Sequence, residues 1–268
     1  MPVPELPEVE TARAAIERAA LGRTVADVDD RDTYVCRPHA PGEIRDALVG
    51  RELTSAHRRG KTMWVATSDS GPRLGLHLGM AGRIFVTEAD GTVVEGGDPI
   101  RRGGAEPKAE WDRFTITFAD GAVLRLFDKR RLSRAVLDPD LDRLGPDAAE
   151  VGLAEFRDRM SRGTAPVKAR LLDQSVLAGV GNLLADQTLW QARLDPRRRV
   201  DTLDPDDLTA LHRSMRSATR SAIRKGGVHT GEVIAHRRRG DHCPRCGAEM
   251  ARGTVGGRTT WWCSVEQV

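Results

Sequence analysis

The stretch Lys168-Ala169-Arg170-Leu171-Leu172-Asp173-Gln174-Ser175-Val176-Leu177-Ala178-Gly179-Val180-Gly181-Asn182-Leu183-Leu184-Ala185 decides how this chain is read. Apolar residues at helical spacing flank it on both sides, and Gly179 and Gly181 permit a tight turn between them. The second helix then begins near Asn182 and turns its first N–H groups outward, which is a ready place for a phosphate. A plain glycine-rich connector between two helices accounts for the glycines. It does not account for Leu172-Asp173-Gln174 and Gly181-Asn182 occurring together.

Working outward, helical patterns are expected over 153–160, 167–174, 183–191 and 208–223. The last carries Leu208, Leu211, Met215 and Ile223 on one face and stops at Gly226-Gly227. Upstream the period changes from helical to alternating. Short strands are expected over 63–67, 74–78, 83–86 and 114–118. Phe114–Phe118, Asp120-Gly121 and the run 123–127 read as a hairpin. One N-terminal helix is expected over 8–21, ending at Gly22. The acidic, proline-bounded stretch 138–146 reads as a connector. The expected division is therefore a β-rich domain with an N-terminal helix over 1–137, a helical domain over 138–239 and a small cysteine module over 240–268.

The chain has 268 residues and a net charge of +3, with much of its arginine in the C-terminal half, as in Arg197-Arg198-Arg199 and Arg237-Arg238-Arg239. A localised basic face suits phosphate binding, although any one such run is commonly just a solvated surface. No run approaches the ~20 apolar residues of a bilayer span, and no signal-peptide pattern opens the chain. A bacterial-type cytoplasm is the expected compartment. Three of the four cysteines cluster near the C-terminus as Cys243-Pro244-Arg245-Cys246 and Cys263. That spacing points to a metal site and not to a disulfide framework, with Cys36 a bystander thiol.

Two further segments carry chemistry on their own terms. Pro4-Glu5-Leu6-Pro7-Glu8 places a proline beside a glutamate near the start of the chain. A terminal proline is a secondary amine, and an α-amino group titrates near ~8 against ~10.4 for lysine, so it can act as a nucleophile toward a sugar C1′. Met80, flexible and flanked by Gly79 and Gly82, can enter a vacated base stack as an apolar wedge. The competing reading of Met80 is a core methionine.

These motifs occur in one order, and together they resemble the formamidopyrimidine-DNA glycosylase / endonuclease VIII family, closer to the first branch. The resemblance covers nearly the whole chain. It implies an α+β multidomain fold: an N-terminal β-sandwich with an N-terminal helix, a helical helix–two-turn–helix domain and a C-terminal zinc-finger-like β-hairpin. It implies a base-excision-repair enzyme, a bifunctional DNA glycosylase and abasic-site lyase acting as a monomer on damaged double-stranded DNA. By resemblance Pro4 is the nucleophile that forms a Schiff base, with Glu5 and Lys61 assisting catalysis. Glu8 supports, Met80 and Leu132 fill the gap left by an everted base, and Arg130 reaches the opposite base. Lys168 and Asn182 contact the backbone. Arg258, at the tip of the finger hairpin in Val255-Gly256-Gly257-Arg258, holds the phosphates flanking the everted nucleotide. The zinc ligands are Cys243, Cys246, Cys263 and, at the fourth position, Glu266.

Several residues depart from the family pattern. Met1-Pro2-Val3 precedes Pro4, so the active chain is expected to start at codon 3, with Val3 read as Met and removed. Leu132 replaces an aromatic wedge, Leu184 a tyrosine, Gln187 a glutamate and Glu266 a cysteine. The segment between Gly227 and Cys243 is short, and His229-Thr230-Gly231-Glu232 cannot supply the lid that closes over an oxidised purine in the closest branch. Ring-opened purines and oxidised pyrimidines are therefore expected alongside 8-oxoguanine. The alternative reading is a catalytically inactive lesion-binding protein on the same scaffold. A zinc-ribbon transcription regulator would leave the first half of the chain without a role.

Overall fold

The computed structural model describes residues 4–98 and 108–268, which form two compact units. The first contains Pro4 and continues from Glu8 to Leu141. The second takes Glu5–Pro7 together with Asp142–Val268. Pro2 and Val3, on which the expected start of the active chain turns, lie outside the described residues.

The first unit begins with α1 (Leu6–Ala19) and continues through β1 (Val25–Asp29), α2 (Glu43–Leu48), β2 (Leu53–Arg59), β3 (Thr62–Thr67), β4 (Leu74–His77), β5 (Arg83–Thr87), β6 (Val93–Gly97), β7 (Asp112–Phe118), β8 (Val123–Phe127) and β9 (Arg134–Leu137). The strands make two antiparallel sheets, one in the order β1-β7-β8-β5-β6 and one in the order β2-β3-β4-β9. Alternation explains the packing. In β7, Phe114, Ile116 and Phe118 are buried while Thr115 and Thr117 are half-buried. Each buried phenylalanine contributes about 1.5–3 kcal/mol. They join Leu124 and Leu126 of β8, Met63 and Val65 of β3 and Leu74 and Leu76 of β4 in one core. Against this core α1 lays Val9, Ala12, Ile16 and Ala19. Gly121, at φ 86, supplies the left-handed corner of the β7–β8 hairpin.

The second unit holds α3 (Leu153–Met160), α4 (Val167–Leu172), α5 (Asn182–Ala192), α6 (Pro205–Lys225), β10 (Met250–Val255) and β11 (Arg258–Cys263). Asp204 caps α6 through the backbone N–H groups of Asp206 and Asp207, and Gly226 ends the helix in the left-handed region. Leu208, Leu211, Met215, Ala218 and Ala222 form its buried face. Leu183 to Trp190 of α5 is buried on every side, so this helix is the core of the unit. Leu6, from the other end of the chain, is fully buried in the same cluster. The cysteine hairpin shares this unit: Trp190 and Val233 pack with Cys243, Met250, Trp261 and Cys263. No helix among the described residues is long and apolar enough to cross a membrane.

Candidate functional site

In the second unit the N-terminal segment meets the glycine-rich turn. Glu5, only 2% exposed, accepts hydrogen bonds from the backbone N–H groups of Gly181 (3.1 Å), Leu183 (2.8 Å) and Leu184 (2.9 Å). Its carboxylate caps α5, where the helix dipole and the otherwise unpaired N–H groups favour an anion. Gly181 has φ −119, which any residue can adopt. What requires glycine is space: a Cβ there would lie 2.2 Å from the Glu5 carboxyl carbon. Gly179 is different, with φ 111 in the left-handed region, and its carbonyl accepts from the Leu6 N–H at 3.1 Å. The N–H groups that sequence reasoning left open for a phosphate are therefore largely occupied by this chain's own Glu5. Pro4 is buried and is the covalent neighbour of Glu5, so the cap restrains it within one peptide length, about 3.8 Å.

Around the end of α5 a second set of residues converges on β11. The Thr259 carbonyl accepts from Asn182 Nδ2 at 3.0 Å, Arg237 Nη2 at 3.3 Å and Lys168 Nζ at 3.5 Å. Lys168 also pairs with Asp186 Oδ1 at 2.6 Å and donates to Thr260 Oγ1 at 2.8 Å. Burial pushes the Lys168 ammonium below the usual lysine range, with Asp186 opposing that shift, and burial pushes the Asp186 carboxyl up. This corrects the expected role of Lys168. It is fully buried on its own partners and presents no surface to a phosphate. Asn182 and Arg258 remain at the edge of the cluster, Asn182 half-buried and Arg258 exposed on the first residue of β11.

The first unit holds the other expected contacts. Lys61 follows Gly60 in the β2–β3 turn and is half-buried. Burial, then the Lys61 charge, pushes His77 below its ordinary value. His77 Nδ1 accepts from the Gly79 N–H at 3.0 Å, so a neutral ring sets the start of the loop that carries Met80. That loop abuts the segment containing Arg130 and Leu132: a Cβ on Gly79 would lie 2.4 Å from the Leu132 backbone. The segment is organised by Asp128, which is fully buried. It accepts from the N–H groups of Arg130 (2.8 Å), Leu132 (2.6 Å) and Ser133 (2.7 Å). Arg131, at φ 57, turns away into a two-toothed pair with Asp32, leaving Arg130 exposed and Leu132 half-buried. Met80, Arg130 and Leu132 thus belong to adjoining loops. Glu8, expected to support DNA contact, is instead 2% exposed on the first turn of α1. Asp128 and His77 carry no role in the sequence reading. The signal for Asp128 was an aspartate opening a short turn before a strand.

At the C-terminal hairpin the Sγ atoms of Cys243, Cys246 and Cys263 lie within 4.8 Å of one another. Burial pushes the Cys243 thiol up, but the Trp190 indole N–H at 3.3 Å and backbone N–H groups outweigh it and bring the thiol to about 7. Three soft sulfur donors with one readily ionised suit a metal ion. Glu266 does not complete the set as expected. Its carboxylate is turned to Arg245 at 2.8 Å, and only its backbone N–H reaches Cys263 Sγ, at 3.3 Å. Cys36, by contrast, is fully buried, and burial pushes its thiol up to about 12.

The family description Formamidopyrimidine-DNA glycosylase N-terminal domain matches residues 3–135, and Formamidopyrimidine-DNA glycosylase H2TH domain matches residues 144–232. A formamidopyrimidine-DNA glycosylase of Herpetosiphon aurantiacus is 30% identical over 288 residues, covering 99% of this chain and 100% of that protein. One of Nocardioides sp. is 32% identical over 291 residues, covering 99% and 94%. Among solved structures, a complex of Lactococcus lactis Fpg (MutM) with Fapy-dG-containing DNA is similar with TM-score 0.80 and 27% identity, covering 98% of this chain and 99% of that one.

Proposed function

This chain belongs to the formamidopyrimidine-DNA glycosylase family, and on that premise we propose how its own residues carry out the family's reaction. It is a DNA glycosylase of base-excision repair that removes damaged bases, with the abasic-site lyase activity of the family. Pro4, as a free secondary amine, attacks C1′ of the damaged nucleotide. As the C1′–N bond forms, the bond from C1′ to the base breaks and the base leaves with a proton; the sugar ring then opens at the C1′–O4′ bond, with O4′ taking a proton, to give an iminium. The resulting iminium acidifies the C2′ proton. Its removal expels the 3′ phosphate, and a second elimination expels the 5′ phosphate. Lys61 and Glu5 serve the proton movements of these steps. The observation that carries the assignment is the Glu5 cap on α5, which fixes the residue next to the nucleophile by three backbone hydrogen bonds.

Asn182 and Arg258 grip the backbone of double-stranded DNA. Met80 and Leu132 fill the stack, and Arg130 addresses the opposite base. The short segment between Gly227 and Cys243 favours a broad lesion range covering ring-opened purines and oxidised pyrimidines. The three cysteines hold zinc, which keeps the hairpin folded and takes no part in the reaction. The protein acts as a monomer in the cytoplasm.

Borohydride trapping on a duplex with one abasic site tests the nucleophile. A chain beginning at Pro4 is expected to give a covalent adduct, and one that keeps Met1-Pro2-Val3 is not. Equal trapping by both would assign the chemistry to another amine. Damaged-DNA binding with no trapping by either would make the protein a non-catalytic lesion binder.

A further inference from the structure

Arg258 is exposed, yet both sides of it are anchored. On one side Gly256 and Gly257, at φ 58 and 70, form the hairpin turn, and a Cβ on Gly256 would come within 3.0 Å of Ala169 in α4. On the other side is the Thr259 carbonyl with its three donors from α4, the start of α5 and Arg237. Beneath that carbonyl Asp186 joins the donors. Its Oδ1 meets Lys168 Nζ at 2.6 Å, and its Oδ2 accepts from Arg237 Nε at 2.8 Å and the Trp261 N–H at 3.3 Å. Asp186 and Lys168 are fully buried and Arg237 is 14% exposed. Arg237 opens the run Arg237-Arg238-Arg239, but its guanidinium is turned into the protein.

A buried ion cluster is poor value as a source of stability, because desolvation offsets most of its attraction. Such clusters are better suited to fixing one arrangement among several, since a shifted hairpin would leave a buried charge unpaired. We propose that Asp186 and Arg237 are positioning residues that hold β11 in register against α5, so that Arg258 and Asn182 present one rigid grip to the DNA backbone. The inference rests on the DNA-binding roles assigned above to Arg258 and Asn182. Asn182 is bound into the same clamp through its Nδ2, so a shift of the Thr259 carbonyl moves both members of the grip together. Two phosphate-binding side chains that keep their spacing lose less entropy on binding than two that do not.

The test is a double-mutant cycle in the full-length protein. It reads the half-saturating concentration of abasic-site duplex in borohydride trapping, alongside hydrogen exchange in Arg258–Cys263. Arg237→Gln leaves Asp186 paired with Lys168, so the fold survives the change. It is expected to raise the half-saturating concentration by roughly 2- to 30-fold, with a smaller change in plateau rate and faster exchange in β11. Arg237→Lys, which can still pair with Asp186, restores part of the loss. Combined with Arg258→Ala, Arg237→Gln costs less than it does alone, because only its effect through Asn182 is left. The proposal is overturned if Arg237→Gln leaves exchange in β11 unchanged, or if its loss multiplies fully with that of Arg258→Ala. Should the unaltered protein not trap at all, the assigned reaction fails instead. The same cycle read by duplex binding, with the exchange measurement, then decides the positioning role.

Discussion

Replacing Gly181 with alanine isolates the Glu5 cap from every other feature of the site. The backbone at Gly181 (φ −119, ψ −169) accepts alanine without strain, so any damage must come from the new methyl group, which would lie 2.2 Å from the Glu5 carboxyl carbon. The carboxylate must leave, and three backbone N–H groups lose an ionised acceptor. Hydrogen bonds to a charged group are worth about 1.5–3 kcal/mol each, and loss of a helix N-cap costs about 0.5–2 kcal/mol. The expelled carboxylate regains water, so these values do not sum, and a net loss of about 2–4 kcal/mol is expected. In a chain of this size that lowers the melting temperature by on the order of 10 °C. Trapping should fall with it, because the residue beside Pro4 is no longer fixed. Calorimetry and trapping on Gly181→Ala, Glu5→Ala and the pair check the cause. With Glu5 already shortened, the methyl group has nothing to strike. The second change should then be neutral, or stabilising by about 0.4–1 kcal/mol through the unfolded chain. Equal losses from Gly181→Ala in both backgrounds would refute the reasoning.

Two other outcomes follow from the first unit. Asp128→Ala strands three backbone N–H groups beneath the Arg130–Leu132 turn and should cost about 3 kcal/mol or more, seen as a lower urea midpoint, whereas Asp128→Asn should cost less. An unchanged midpoint would mean that the turn holds itself. His77 has its folded pKa below the unfolded value of 6.5. The folded state therefore favours the neutral ring, a contribution complete above that value and lost as pH falls through the lower folded one. Between about pH 7.5 and about pH 5 the unaltered protein should lose more stability than His77→Gln does. Parallel curves would remove His77 from the account.

The β7–β8 hairpin and α6 were legible in the sequence because their signals are local: strict alternation around Asp120-Gly121 in one, a capped amphipathic run in the other. Strands β1 and β6 were not read. Val-Ala-Asp-Val-Asp puts three polar or small residues among five, and Val-Val-Glu-Gly-Gly ends on two glycines, so each is a strand only because its neighbours pair with it. Within the site, Met80 stands on a loop beside the one that carries Arg130 and Leu132, a proximity that no local signal in the sequence gives. Lys168 and Glu266 did not behave as expected, for one shared reason. A charged side chain is read from sequence as available, while in the structure Asp186 and Arg245 had already claimed them. Glu5 shows the same effect in reverse, filling the helix terminus that the sequence leaves open.

Leu6 is sealed in the core of the second unit and Glu5 caps its central helix, although both lie far upstream of that helix in the sequence. A ribosome must complete Gly181–Leu184 before those first residues have anywhere to dock. Residues 142–268 produced alone would carry an unfilled hole and an uncapped α5, so this unit is not a segment that can be cut out by two boundaries. The segment Glu5–Leu6 is therefore made well before the helix that receives it.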